Sequence, residues 1–141
     1  MRDIPVKTDI IKLLIREASK ARMNAYAPYS GYLVGAAVIV PSGNIFTGCN
    51  VENASYGLSN CAERTAIFKA VSEGQRHIDG IAIIGGPIEA VTDMAYPCGA
   101  CRQVIAEFSN EDTIVIVAKS EEEYEVYNIS ELLPHTFQLD K

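Results

Sequence analysis

Three of the four cysteines in this chain stand where helices are expected to begin, and this restricts the fold more than any other feature. Cys61 opens the run Cys61-Ala62-Glu63, while Cys98 and Cys101 belong to Pro97-Cys98-Gly99-Ala100-Cys101. A helix N-terminus stabilises an anionic thiolate and draws a thiol pKa below its free value of about 8.5. Where two such helix starts converge, the thiolates supply three corners of a tetrahedral site, and sulfur-rich ligation of this kind suits zinc. A catalytic zinc keeps its fourth position for water. Glu63, two residues past Cys61, can stand beside the metal without binding it and pass a proton to and from that water. Other readings fit the same residues. Cys98 and Cys101 also suit a redox dithiol or half of a structural zinc site. Glu63 sits three residues after Asn60, as the acidic member of a capping box would. Cys49 as a fourth ligand would close a purely structural four-thiolate site, although it ends an expected strand and reads as packing.

The rest of the chain supplies a frame for two converging helices. Ile10, Ile11, Leu14, Ile15, Ala18, Ala21 and Ala25 recur at helical spacing, predicting a helix over Thr8–Ala25 with Thr8 as its cap. The sequence Ala27-Pro28-Tyr29-Ser30-Gly31 breaks it. Tyr32–Val40 and Ile45–Cys49 read as strands of a hairpin turning at Pro41-Ser42-Gly43-Asn44, followed by a polar loop, Asn50–Asn60. Helices are expected over Cys61–Glu73, capped by Gly74, over Ala100–Phe108, and briefly over Ile129–Leu133. Strands are expected over Ile78–Ile84, ended by Gly85-Gly86-Pro87, over Thr113–Ala118 and over Tyr124–Ile129. The alternation predicts an α/β fold, a mixed five-stranded sheet flanked by helices. No repeat or linker interrupts residues 1–141, so a single domain is expected.

Composition excludes several functions. Twelve basic residues against eighteen acidic ones leave a net charge of −6, which argues against a nucleic-acid partner. No Gly-rich loop or Arg cluster offers a phosphate clamp. No apolar run approaches the roughly 18 residues that span a membrane, and Met1-Arg2-Asp3-Ile4-Pro5 does not lead into a signal-peptide core. A cytoplasmic protein without disulfides is therefore expected. His77 and His135 lack ligand spacing, and Glu121-Glu122-Glu123 with Glu125 reads as the solvated face of an edge strand.

The sequence resembles the small, homotetrameric cytidine deaminases. The matching blocks are Ala27-Pro28-Tyr29-Ser30, Gly48-Cys49-Asn50-Val51-Glu52-Asn53-Ala54, Cys61-Ala62-Glu63-Arg64-Thr65-Ala66, Pro97-Cys98-Gly99-Ala100-Cys101-Arg102-Gln103 and Glu131-Leu132-Leu133-Pro134. The Cys-Ala-Glu and Pro-Cys-x-x-Cys pair is shared by the wider zinc deaminases, whereas the Asn50-Val51-Glu52-Asn53 segment is much more specific to cytidine deaminases. The resemblance implies a three-layer sandwich and one zinc per chain held by Cys61, Cys98 and Cys101. It implies that water attacks C4 of cytosine, with Glu63 moving protons from the water to ring N3 and the leaving amine. By the same resemblance the Ala62 N–H holds the base carbonyl, Asn50 and Glu52 hold the ribose 3′-hydroxyl, and Tyr32 and Phe137 flank the base. Ala54 and Tyr56 would approach a neighbouring subunit's site, so active sites would be completed within a homotetramer. Arg64 would offset the charge of three thiolates through hydrogen bonds to sulfur, a part Arg102 would also suit. The implied activity is deamination of cytidine and deoxycytidine in pyrimidine salvage. A deaminase for another substrate, such as blasticidin S, and a structural zinc module that binds a partner protein are the rival expectations.

Overall fold

The computed structural model describes residues 6–141, and the Met1–Pro5 segment lies outside the described residues. Ten elements follow in the order α1 (Thr8–Arg22), β1 (Tyr32–Ile39), β2 (Ile45–Cys49), a 3-10 turn (Tyr56–Leu58), α2 (Ala62–Ser72), β3 (Gly80–Pro87), α3 (Gly99–Glu107), β4 (Ile114–Ala118), β5 (Tyr124–Asn128) and α4 (Ile129–Leu132). The strands form one five-stranded sheet in the order β2-β1-β3-β4-β5. Only β3 and β4 pair in parallel, and the other neighbours are antiparallel.

Side chains alternate across this sheet, and each face has its own cover. Ala36, Val38, Ile81, Ile83, Val115 and Val117 face Ala62, Ala66, Ile67, Ala70 and Ile105 of α2 and α3. The intervening Ala37, Ala82, Ile84, Ile116 and Ala118 face Ile11, Leu14, Ile15 and Ala18 of α1. Three layers result.

Strand polarity brings the two cysteine-bearing helices together. Both β2 and β3 run antiparallel to β1, so they run the same way on either side of it. The chain leaving β2 enters α2, and the chain leaving β3 enters α3. Both helices therefore start at the same end of the sheet, where β1 begins at Tyr32. Such carboxyl ends of strands are where α/β sheets build their sites.

Two glycines let the layers close. A Cβ on Gly48 would lie 2.5 Å from the Ala66 nitrogen and 2.8 Å from the Ala62 carbonyl oxygen, so β2 touches the backbone of α2. A Cβ on Gly35 would lie 1.9 Å from the Ala18 oxygen, so β1 makes the same approach to α1.

Boundaries depart from expectation where tertiary pairing intervenes. Lys7, not Thr8, caps α1. That helix stops at Arg22 because Tyr26 is drawn into a bridge with Val51, donating to the Asn50 carbonyl at 3.0 Å. The third strand continues through Gly85, Gly86 and Pro87, which pair with Val34, Leu33 and Tyr32.

Candidate active site

The site is built from two helix starts and the first residues of β1. Cys61 and Cys98 are the N-caps of α2 and α3, each with extended backbone, and Cys101 falls in the first turn of α3. The three sulfur atoms lie within 4.8 Å of one another, and Cys61 Sγ is 4.0 Å from Cys98 Sγ. With zinc–sulfur bonds of about 2.3 Å, tetrahedral ligation needs sulfurs about 3.8 Å apart, so this spacing fits zinc. Cys49 is not part of the group, which removes the four-thiolate reading.

The surroundings favour the anionic form that a metal requires at Cys61 but not at Cys101. Cys61 is lowered to about 5, first by the hydrogen bond from the Cys101 thiol and then by Arg64. Cys101 is raised, because it supplies that hydrogen bond and is buried beside other acidic groups. Arg64 Nη2 donates to Cys61 Sγ at 3.2 Å, while its buried Nε has no partner among the described residues. An orphaned cationic N–H beside three thiols marks a place meant for more negative charge, as fully ionised ligands would supply.

Glu63 occupies the first turn of α2, only 5% exposed. It makes no capping box, since the helix cap is Cys61 and the Asn60 amide donates to Thr65 Oγ1 instead, at 3.1 Å. Burial pushes its carboxyl up to about 7. A carboxyl poised near neutrality can both take and return a proton.

A cavity of about 480 Å³ opens beside these groups. Its lining includes Cys61, Ala62, Glu63 and Cys98 together with Tyr32, Asn50, Glu52, Met94 and Tyr96. Asn50 follows the last paired residue of β2 and extends the ladder with its side chain. Its Oδ1 accepts from the Val34 N–H and its Nδ2 donates to the Tyr32 carbonyl, both at 2.9 Å. Glu52 Oε1 accepts from the Tyr29 and Ser30 N–H groups at 3.0 and 3.1 Å, and Oε2 accepts from the Ser30 hydroxyl. That hydroxyl, with the two N–H groups, holds the carboxyl below its ordinary range.

Several expected site residues stand elsewhere. Phe137 is 69% exposed and lies against α3, where Gln103 donates to its carbonyl at 3.0 Å, outside this chain's own cavity. Ala54 and Tyr56 lie on the exposed loop ahead of α2, also outside it. Arg102 does not share Arg64's part. It donates to the Pro97 and Leu132 carbonyls, both at 2.8 Å, and so fastens α4 and the segment ahead of Cys98. Glu125 lies on the edge strand as expected but is also engaged, because the Tyr96 and Tyr127 hydroxyls both donate to its Oε1. Tyr96 lines the cavity although nothing in the sequence analysis singles it out.

Fold and site together define a protein whose three thiols are positioned to bind one metal ion beside a buried carboxyl. Residues 8–118 match the family model described as the cytidine and deoxycytidylate deaminase zinc-binding region. The chain is 48% identical over 126 residues to a cytidine deaminase of Halalkalibacterium halodurans, covering 89% of this chain and 92% of that one. A cytidine deaminase of Sporosarcina psychrophila is 45% identical over 130 residues, 90% of each chain. The crystal structure of cytidine deaminase from Burkholderia pseudomallei superimposes with a TM-score of 0.81 at 45% identity, covering 89% of this chain and 97% of that one. This chain belongs to the zinc-dependent cytidine deaminase family.

Proposed function

We propose that this chain hydrolyses cytidine and deoxycytidine to uridine and deoxyuridine, releasing ammonia, as a step of pyrimidine salvage. The observation that carries the reading is the buried carboxyl of Glu63 beside three clustered thiols in a nucleoside-sized cavity. Cys61, Cys98 and Cys101 hold one zinc, which supplies the Lewis acidity that makes water a competent nucleophile near neutral pH. Glu63 takes the proton of the attacking water, delivers it to ring N3 and serves the departing amine, so that water and cytidine become uridine and ammonia. The N–H of Ala62, in the first turn of α2 and without an intrahelical partner, donates to the base carbonyl oxygen. Asn50 and Glu52 hold the sugar hydroxyl. The backbone clamps on both side chains fix them before substrate arrives, and one Asn50 amide hydrogen remains for the ligand. Tyr32 flanks the base. Arg64 compensates the charge of the ligating sulfurs.

We read the whole chain as one domain that works as a homotetramer. Tyr56 and Leu58 are 79% and 70% exposed, and Phe137 is similarly bare, apolar side chains that a neighbour would cover. In that assembly Ala54, Tyr56 and Phe137 complete an adjoining subunit's site. The ligating thiols must stay reduced, which fits a cytoplasmic setting. Among the described residues no helix is long and apolar enough to cross a membrane. The net charge of −6 leaves little to attract nucleic acid. Ultraviolet absorbance with ammonia detection tests the reading. Cytidine should yield equimolar uridine and ammonia, and a zinc-loaded protein inert on it would overturn the assignment.

A further inference from the structure

The segment between β3 and α3 forms one wall of the cavity without a helix or strand to hold it. Apart from the Cys98 sulfur beside Cys61, its polar side-chain ties to other parts of the chain include Arg102 on the Pro97 carbonyl and Tyr96 on β5. The second tie is elaborate for an exposed tyrosine. The Tyr96 hydroxyl donates to Glu125 Oε1 at 2.5 Å, and the Tyr127 hydroxyl donates to the same oxygen at 2.7 Å. The two rings meet edge to face, 6.5 Å between centroids and 62° between planes. Tyr127 is itself packed against the core, so the anchor is rigid. Glu125 and Tyr127 are two residues apart on one strand and share a face. Charge-assisted hydrogen bonds and aromatic edge contacts both constrain direction as well as distance. A side chain held both by its hydroxyl and by the edge of a second ring has a restricted orientation, and Tyr96 lines the cavity.

We propose that Tyr96 determines which bases the cavity admits, and that Glu125, acting through it, is a positioning residue. The proposal rests on the reading of the cavity as a cytidine site. If C4 of the base must reach the thiol cluster, the groups bonded beside C4 approach the segment that carries Cys98. Tyr96 is two residues ahead of Cys98, so its ring limits the room at the C5 edge of the base. A substituent at C5 then meets an aromatic wall that cannot swing away, because its hydroxyl is tied. Discrimination over one methyl group in a tight pocket reaches about 10- to 200-fold.

The test compares kcat and KM for cytidine and 5-methylcytidine in the zinc-loaded enzyme and four variants. Tyr96→Ala removes the wall and should raise the efficiency ratio of 5-methylcytidine to cytidine at least about tenfold. Tyr96→Phe keeps the ring and cuts the tether, and Glu125→Ala and Tyr127→Phe loosen it from the other side. These three should move the same ratio in the same direction by about threefold, the scale of one lost hydrogen bond, with the change falling on KM and zinc retained. An unchanged ratio in Tyr96→Ala and Tyr96→Phe would overturn the assignment. So would a change that tracks loss of zinc, which would make the cluster a brace for Cys98. A wild type inert on both nucleosides would instead overturn the reading of the cavity, and this assignment with it.

Discussion

Gly48→Ala probes whether the packing of β2 on α2 sets catalytic geometry. The added methyl would lie 2.5 Å from the Ala66 nitrogen, 2.8 Å from the Ala62 oxygen and 2.9 Å from Thr65 Cβ. Two of those neighbours are helix backbone, which cannot rotate aside. Ordinary carbon contacts begin near 3.5 Å, so the start of α2 must retreat by about 1 Å. Overpacking of this kind costs about 1–3 kcal/mol, or a fall in Tm of about 3–10 °C for a chain of this length. The change also reaches function, because the displaced turn carries Cys61, Ala62 and Glu63. A misplacement of about 1 Å costs about 10²-fold in rate. Steady-state cytidine deamination, referred to zinc-loaded protein and paired with a thermal melt, measures both effects. A variant with wild-type kcat/KM would refute the claim that this contact fixes the site.

Cys98→Ala and Cys101→Ala should each lose most bound zinc by metal analysis, whereas Cys49→Ser should retain about one equivalent. Titration of the metal-free protein with zinc should show affinity falling as pH is lowered, because Cys101 holds its proton until metal displaces it. Affinity independent of pH would count against thiolate ligation. Glu52→Ala should raise KM for cytidine more than it lowers kcat. Cytidine 5′-monophosphate should be a poor substrate, since its phosphate would be desolvated near a carboxylate. Light scattering should show a tetramer, and a fully active monomer would contradict the shared-site reading.

The thiol cluster and Glu63 were legible because a helix start is a local signal, and two residues of offset fix where a side chain can stand. The strand order was not. The hairpin turn sets β2 antiparallel to β1. Nothing within β3 reveals that it lies antiparallel on the other side of β1, yet that polarity is what brings Cys98 to Cys61. Gly85, Gly86 and Pro87 read as a terminator because glycine and proline usually end strands, but here β1 supplies partners for all three. The partners of Glu125 are hidden in the sequence for a similar reason. In sequence it continues an acidic run, and its partner Tyr96 comes from a distant segment. Arg64 and Arg102 each follow near a cysteine, yet only Arg64 reaches sulfur, because the first turn of α3 aims Arg102 at carbonyls. Phe137 shows the limit of one chain, since its proposed contact lies in a neighbour.

Glu63→Gln tests the central claim most directly. A carboxamide keeps the shape of the buried side chain but cannot carry a proton from water to the base and the leaving amine. The variant should bind one zinc, melt close to the wild type and lose about 10²- to 10⁴-fold in kcat for cytidine. Near wild-type turnover in a zinc-loaded Glu63→Gln protein would contradict the account.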